Sequence, residues 1–278
     1  MADWSRTVHG VGDVHAGAVK RPRVAALLED AEKLPTPAAH VQIGDVTERG
    51  RAEEDVLARR WLGRLPGPAY TILGNHDVMG NKRSVAAWAK AYGYKSQNYV
   101  IDLPFVRIIV VGPDRDHAKE RSGMLSPATL AWLELRLRRA PERRDCWIAC
   151  HWPLYKTVMG DSAKLYTSAM QTFHAKPDGQ IRELLARHPN AKTWISGHTH
   201  SPLLAPGLVT RAKLPRGRSI VAINLSAIVG VGKTRDPEDP ICSLYLTHLP
   251  GRMELRFRDH RARAWKAIHG RRVKTVRL

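Results

Sequence analysis

The chain has 278 residues, 43% of them hydrophobic, which is enough apolar material for one large α/β domain. It contains no apolar run of the ~18 residues that a membrane span needs, no secretory signal pattern and no cysteine framework, so we expect a cytoplasmic protein without a membrane partner. The net charge of +19 leaves a nucleic-acid partner open, although a basic surface also suits a small phosphorylated substrate.

Strands and helices alternate at the start of the chain. Three predicted strands are RTVHGVGDVH, AAHVQIGDV and PAYTILGNHD, each with polar residues at its end. Between them, RPRVAALLEDAEKL and AEEDVLARRWLGRL have helical periodicity, and Pro22 suits a first helical turn. This order predicts a parallel sheet with right-handed crossovers.

The middle of the chain continues the pattern. We predict a helix in SVAAWAKAYG, a strand pair in QNYVIDL and VRIIVVG, a helix that begins at Ser126 with LSPATLAWLELRLRRA, and a strand, CWIACH. Residues 152–179 are polar without clear periodicity, which is typical of a functional loop or an irregular excursion.

The last part begins with a helix, QIRELLARHP, and a strand, AKTWISGH. Further strands are predicted in SIVAINLSA, ICSLYLTHL and MELRFRD. Residues 251–278 carry ten Lys/Arg and two acidic residues. We therefore expect one domain over residues 1–260 followed by a basic, solvated tail over residues 261–278.

Polar side chains of metal-binding type follow five of the predicted strands. In an open parallel sheet, ligands bind outside the carboxyl ends of the strands, so these residues are expected at one edge. Glycine precedes several of them and allows a sharp turn and a close approach of the backbone. The candidates are Asp13, His15, Asp45, Asn75, His76, Asp77, His151, His198 and His200.

In chain order these residues form D-x-H, GD, GNHD, a single His and GHTH. This order resembles the calcineurin-like metallophosphoesterases, and the matched motifs extend from Asp13 to His200. The GNHD sequence, the LAWLELRL helix and the modest length are similar to the compact phosphodiesterase branch, and INLSA resembles a degraded N-x-x-S stretch. The resemblance implies a four-layer αββα sandwich with a dinuclear metal site at the carboxyl ends of the strands.

The resemblance also implies a role for each ligand. Asp13, His15 and His200 would hold one metal, Asn75, His151 and His198 the second, and Asp45 would bridge the two. Two cations about 3.5–4 Å apart need such a shared anionic ligand. Mixed imidazole, carboxylate and amide donors suit Mn, Fe, Zn or Co, and the sequence does not choose among them.

This site chemistry predicts hydrolysis of a phosphoester. A hydroxide bridging the metals would attack phosphorus in line, and His76 would assist the leaving group while Asp77 orients its imidazole. The alternative for Asp77 is a turn carboxylate. Arg49 could clamp the phosphate, as an arginine does in the phosphoprotein phosphatase branch, or be a surface residue, since Glu48 stands where that branch has Asp.

The preferred substrate is a cyclic nucleotide or a similar small phosphodiester. A phosphomonoesterase or protein phosphatase is the first alternative, and a nuclease or nucleic-acid end-processing enzyme of the same fold is the second. A non-catalytic scaffold is disfavoured because every ligand position is filled. The sequence does not indicate an oligomeric state. We expect His9 and Cys150 to be packed strand residues and His174 to stay outside the site.

Overall fold

The protein is represented by a computed structural model, which describes residues 3–79, 83–114, 123–141, 144–158, 166–203, 207–230, 239–267 and 273–278. Two large sheets lie face to face within these residues. The first sheet contains β1 (Thr7–Val11), β2 (Ala39–Gln42), β3 (Ala69–Thr71), β12 (Cys242–Leu249), β13 (Arg252–Asp259), β14 (Ala264–Lys266) and β15 (Lys274–Arg277). Its order is β14-β13-β12-β1-β2-β3, and β15 also pairs with β13.

The second sheet has the order β10-β11-β9-β7-β5-β4. Its strands are β4 (Tyr99–Leu103), β5 (Val106–Val110), β7 (Cys146–Ala149), β9 (Ala191–Ser196), β10 (Val209–Lys213) and β11 (Ser219–Asn224). Four strands of this sheet, β5, β7, β9 and β11, are parallel, as are β1, β2 and β3 of the first sheet. The predicted parallel arrangement is therefore confirmed at the centre of both sheets. A small third sheet pairs β6 (Gly123–Met124) with β8 (Ala175–Lys176).

Helices cover the outer faces of the two sheets. The described helices are α1 (Arg21–Ala31), α2 (Ala52–Leu62), α3 (His76–Met79), α4 (Val85–Ala91), α5 (Pro127–Arg138) and α6 (Asp178–Arg187). Leu27 and Leu28 of α1 pack with Val11 of the first sheet, whereas Leu133 of α5 packs with Ile148 of the second. A central core lies between the sheets. These layers confirm the predicted αββα sandwich.

Local signals in the sequence explain why α5 begins where it does. The hydroxyl of Ser126 accepts a hydrogen bond from the Thr129 N–H at 3.1 Å, and Pro127 occupies the first turn. An N-cap hydroxyl satisfies one of the N–H groups that a helix start leaves without a partner. Leu130, Leu133 and Leu137 are buried on one face, as their spacing predicts.

The predicted C-terminal tail contains regular structure. Strand β14 pairs with Phe257–Asp259 of β13 in antiparallel register, and β15 pairs with the other end of β13. Val276 and Leu278 pack against the central core. These segments are parts of the first sheet rather than a fully solvated tail, because β13 offers a free edge with which they form hydrogen bonds. The division at residue 260 itself stays a prediction.

A chain of buried polar side chains crosses the first sheet. Arg258 donates two hydrogen bonds to Asp30 at 2.7 and 2.6 Å, and His260 Nδ1 donates to the same carboxylate at 2.9 Å. Ser243 links His260 to His9, with both contacts at 2.7 Å. The network continues from His9 Nδ1 to His40 Nδ1 at 2.8 Å. The expectation that His9 is a packed strand residue is confirmed, and we call these residues the buried polar network.

None of the helices in the described part of the chain is long and apolar enough to cross a lipid bilayer. Cys150 is fully buried, as expected.

Candidate metal centre

Five strands end at the same edge and deliver the predicted ligands there. Asp13 and His15 follow β1, Asp45 follows β2, Asn75 follows β3, His151 follows β7, and the last two histidines follow β9. All of the predicted ligands are buried. Their exposed fractions range from 0 to 6%, for Asp13, His15, Asp45, Asn75, His151, His198 and His200.

Six of these residues form two clusters of potential ligand atoms that share one carboxylate. The first cluster is Asp13, His15, Asp45 and His200, and the second is Asp45, His151 and His198. In each cluster the candidate ligand atoms lie within 4.8 Å of one another. Asp45 is thus the one carboxylate that these two clusters have in common.

Imidazole nitrogens and carboxylate oxygens face each other at short range in the first cluster. His15 Nε2 lies 3.2 Å from His200 Nε2 and 3.6 Å from Asp45 Oδ2. His200 Nε2 lies 3.8 Å from Asp13 Oδ1. Nitrogen and oxygen atoms that converge at such distances are typical of the ligands of a metal site.

The second cluster has the same character. His151 Nε2 lies 3.1 Å from His198 Nδ1 and 3.2 Å from Asp45 Oδ2. Asn75 Oδ1 is buried and has no hydrogen-bond partner among the described residues. A buried amide oxygen without a partner is costly unless a cation or donor satisfies it.

Hydrogen-bond partners on the far side of the rings determine which nitrogens carry hydrogen. His15 Nδ1 lies 2.7 Å from Glu48 Oε2, and His198 Nε2 lies 3.2 Å from the Thr172 carbonyl. His151 Nδ1 lies 2.8 Å from the Ile43 carbonyl. Carbonyl and carboxylate oxygens accept only, so the hydrogens lie on these outer nitrogens and the opposite nitrogens can direct lone pairs into the site. The donor set therefore fits metal binding, with outer partners of the kind that orient metal-bound histidines.

Four of the seven predicted ligands have left-handed backbone conformations. Their φ angles are 52° for His15, 51° for Asp45, 68° for His198 and 47° for His200. Such values are uncommon for residues other than glycine. Hydrogen bonds from their own backbone N–H groups hold two of them there: His15 N–H donates to the Asp45 carbonyl at 2.9 Å, and His198 N–H donates to the Asp13 carboxylate at 3.0 Å.

Two glycines allow the strand ends to come close together. A Cβ atom at Gly74 would collide with the backbone N and the carboxylate of Asp45. Gly44 has a φ of +92°, and a Cβ there would collide with the ring of His151. Both glycines directly precede predicted ligands, and the expected close approach of the backbone is confirmed at these two positions.

Burial and charge perturb the acids and bases of the site. Burial raises the pKa of Asp13 to about 6. Burial also raises the pKa of Asp45, but the neighbouring His151, His76 and His15 together lower it more, so that this pKa lies well below its usual value. In His151 burial lowers the pKa, yet the Asp45 carboxylate raises it to a net value of about 9. In the absence of metal, a proton on His151 therefore compensates Asp45.

His76 lies at the rim of the clusters. Its side chain is 18% exposed, its ring is 4.6 Å from that of His15, and its Nδ1 lies 2.9 Å from the Glu48 carbonyl. The Nδ1 hydrogen is thus donated to the Glu48 carbonyl, so Nε2 is the ring nitrogen left to contact a bound ligand. The role expected of His76, assistance to the leaving oxygen, stays a prediction.

The structure corrects the expected partner of His76. The Asp77 carboxylate accepts hydrogen bonds from the Thr47 N–H at 2.9 Å, the Thr47 hydroxyl at 2.8 Å and the Gly74 N–H at 2.8 Å. It therefore anchors the turn after β3, the alternative left open by the sequence, and Glu48 is the described residue that contacts His76 Nδ1. Burial and the nearby Asp45 raise the pKa of Asp77 to about 7.

Two further sequence candidates lie outside the clusters. Arg49 is exposed, and its backbone N–H donates to Glu54. His174 Nδ1 contacts the Met170 carbonyl at 3.0 Å. The structure brings neither side chain into either cluster.

The sequence did not predict the contacts that Glu48 and Asn224 make at the candidate centre. Asn224 Nδ2 donates to the Gly197 carbonyl at 2.6 Å, and its Oδ1 accepts from the Thr199 hydroxyl at 2.8 Å. Asn224 thus fixes the GHTH turn from the end of β11. The INLSA stretch was a signal for this residue, whereas Glu48 was visible only as a departure from an Asp.

The aromatic residues of segment 166–174 contact the same turn. Phe173 stacks on His198 with ring centroids 4.5 Å apart, and Tyr166 stacks on Phe173 at 4.5 Å. Part of the polar 152–179 region therefore lies against the candidate metal centre.

Comparisons with known proteins give a consistent result. Residues 6–202 match the family described as calcineurin-like phosphoesterase. A glycerophosphodiester phosphodiesterase of Enterobacter lignolyticus is 28% identical over 70% of this chain and 65% of its own length, so the match spans less than two thirds of that relative. A protein of a Synechococcus species, described as a probable cyclic nucleotide phosphodiesterase, is 26% identical over 70% of both chains.

A solved structure shares the fold. A dimetal phosphatase from Danio rerio superposes with a TM-score of 0.65 over 99% of both chains, at 14% identity.

Proposed function

Because the chain belongs to the calcineurin-like phosphoesterase family, we propose that it hydrolyses phosphoesters at a dinuclear metal centre built on Asp45. The observation that carries the proposal is the pair of buried donor clusters that share this carboxylate. Two metal ions at such a centre would lower the pKa of a coordinated water and neutralise charge on the phosphoryl oxygens.

We assign the ligands from the two clusters and add the Asn75 Oδ1, which is buried without a hydrogen-bond partner among the described residues. Asp13, His15 and His200 would hold one ion, and His151, His198 and the Asn75 Oδ1 the other. The nitrogen-rich donors favour Mn, Fe, Zn or Co over Mg and Ca, which prefer oxygen ligands.

His76 is the proposed general acid. With the Nδ1 hydrogen given to the Glu48 carbonyl, a protonated ring has its Nε2 hydrogen free for the leaving oxygen. The Glu48 carboxylate lies 3.9 Å from the same Nδ1. Arg49 stays a candidate phosphate ligand of lower rank, because nothing in the described contacts directs it to the centre.

The proposed substrate is a small phosphodiester, a cyclic nucleotide or a similar compound. The names of the two sequence relatives, a glycerophosphodiester phosphodiesterase and a probable cyclic nucleotide phosphodiesterase, support this substrate class. A phosphomonoester and a polynucleotide are the competing substrates.

The test is an activity screen of the metal-free protein reloaded with Mn²⁺, Co²⁺, Zn²⁺, Fe²⁺ or Mg²⁺. Substrates are bis-p-nitrophenyl phosphate, cyclic nucleotides, glycerophosphodiesters, a phosphomonoester and DNA or RNA. We expect hydrolysis of small diesters, loss of metal and activity in Asp45→Asn, and a kcat lower by about 10²–10⁴-fold in His76→Ala.

Gln180→Ala on the exposed start of α6 is the matched control and should behave as wild type. Full activity in Asp45→Asn would refute the proposed centre. Preferential hydrolysis of monoesters or polynucleotides would instead replace the proposed substrate class and retain the centre.

A further inference from the structure

Segment 166–174 forms an aromatic contact with both histidines of the GHTH motif. Phe173 and His198 stack with their planes 28° apart, and Tyr166 and Phe173 stack with their planes 16° apart. The Tyr166 ring is also perpendicular to His200 at 6.5 Å. The rings of Tyr166, Phe173 and His198 thus form a stack that ends at a proposed metal ligand. The proposed reaction assigns no role to Tyr166 or Phe173.

Buried hydrogen bonds hold this segment at both ends. Ser168 is fully buried, and its hydroxyl accepts from the backbone N–H groups of Thr157 and Val158, each at 2.9 Å. At the other end, Ala175 N–H donates to the Pro153 carbonyl at 2.8 Å as β8 begins. The segment therefore presents Phe173 to His198 from a fixed position.

The same segment determines where the hydrogen of His198 lies. The Thr172 carbonyl, 3.2 Å from His198 Nε2, accepts a hydrogen and cannot donate one. Nδ1 is then the nitrogen with the free lone pair, and it lies 3.1 Å from His151 Nε2, inside the second cluster. Trp152 contacts the ring as well, with ring centroids 5.5 Å apart, so both Trp152 and Phe173 border it.

We propose that Thr172 and Phe173 are positioning residues for the metal centre. The Thr172 carbonyl selects the Nε2–H tautomer of His198, and the Phe173 ring fixes the plane in which Nδ1 faces the second ion. This role rests on the proposed function, because His198 matters as a ligand only at a metal centre.

The test uses the full-length protein with Phe173→Leu and Ser168→Ala, which weaken the stack and its anchor without changing a proposed ligand. Nitrogen-15 NMR of the imidazoles in the metal-free protein reports the tautomer of His198, and calorimetric Co²⁺ titration reports affinity. We expect a clean Nε2–H form in wild type and a tautomer mixture in Ser168→Ala, which loosens the segment that carries the Thr172 carbonyl. Co²⁺ affinity should be lower by about 10–100-fold in both variants, as for other outer partners of metal ligands.

Met170→Ala is the matched control, since Met170 lies in the same segment with 40% exposure, and it should match wild type. An unchanged tautomer and unchanged Co²⁺ affinity in Phe173→Leu and Ser168→Ala would overturn the inference. If wild type binds no Co²⁺, the proposed function fails, whereas the tautomer still decides whether segment 166–174 controls His198.

Discussion

Glu48 contacts two histidines of the centre through different groups. Its carboxylate lies 2.7 Å from His15 Nδ1, and its backbone carbonyl lies 2.9 Å from His76 Nδ1. A carboxylate behind a metal-bound histidine fixes the ring and increases its basicity. One residue therefore orients a proposed ligand with its side chain and the proposed acid with its main chain.

Glu48→Ala separates these two effects, because it removes the carboxylate and keeps the carbonyl. We expect Co²⁺ affinity to fall by about 10–100-fold, while the pH dependence of kcat at saturating metal changes little. Calorimetric titration and a pH–rate profile measure the two quantities. Glu53→Ala, on the exposed surface of α2, is the control. Wild-type Co²⁺ affinity in Glu48→Ala would show that the carboxylate contact is dispensable.

At the residue scale, the sequence predicted which side chains come together but not how each is oriented. Asp13 and His200 could be placed because motifs at strand ends converge at one sheet edge. The choice of Asp77 as partner of His76 was wrong, because a carboxylate beside several backbone N–H groups is held by them. Such competition among nearby donors depends on backbone turns that the sequence alone does not define.

At the scale of elements, tight contacts between strand ends shape the centre. The turn after β3 approaches the Asp45 loop so closely that only a hydrogen fits at the Cα of Gly74. Strands and helices with clear periodicity were predicted from the sequence pattern, whereas the αββα layers were implied by the family resemblance. Segment 166–174 and β15 were not predicted, because their positions depend on long-range pairing and aromatic contacts rather than on local pattern.

Gly74→Ala should force the Asp45 loop away from its position. Overpacking of this kind typically costs about 1–3 kcal/mol, and here it also displaces a proposed bridging ligand. Urea unfolding and Co²⁺ titration should both show a loss. Gly179→Ala is the control, because Gly179 lies in α6 with nothing within 4 Å of its added Cβ, so alanine should be neutral or stabilising.

At the scale of the whole molecule, the buried polar network links α1 to the first sheet. Burial lowers the pKa of His9, His40 and His260, so these rings stay neutral in the folded protein. Burial raises the pKa of Asp30, but hydrogen bonds from Arg258 and His260 lower it more, to well below its usual value. Both kinds of group bind protons more readily in the unfolded chain.

The buried polar network should therefore make the protein sensitive to acid. The histidine contribution is complete above an unfolded pKa of about 6.5 and decreases below it by roughly 1.4 kcal/mol per pH unit for each histidine. Urea unfolding of metal-free protein at pH 8, 6 and 5 measures the slope. His40→Gln should reduce that slope, and an equal slope in both proteins would contradict a role for His40.

The basic surface that the charge suggested lies partly away from the metal centre. Arg252 and Arg277 are exposed and lie directly opposite each other in the β13–β15 register. Arg252 also pairs with Leu249 at the end of β12, and this end of β12 lies beside the start of β1. The candidate ligands follow the other end of β1. Like charges placed opposite each other repel.

Arg277→Glu should consequently raise the free energy of unfolding by about 0.2–1 kcal/mol, since the register pair becomes attractive. Hydrolysis of small diesters should not change, because this pair is remote from the proposed centre. Denaturant unfolding and the diester assay provide the two readings. A large loss of polynucleotide hydrolysis in this variant would instead support a nucleic-acid substrate bound along this edge.

The left-handed backbone at His15, Asp45, His198 and His200 implies a trade-off between activity and robustness. Each such residue carries about 1–3 kcal/mol of strain, and asparagine and glycine adopt the conformation more readily. Random substitutions at these positions can therefore yield proteins that are sturdier yet inactive. Selection for thermal stability alone would therefore favour loss of the centre. Selection with metal bound would preserve it, because the binding free energy of the ion stabilises the folded protein and offsets the strain.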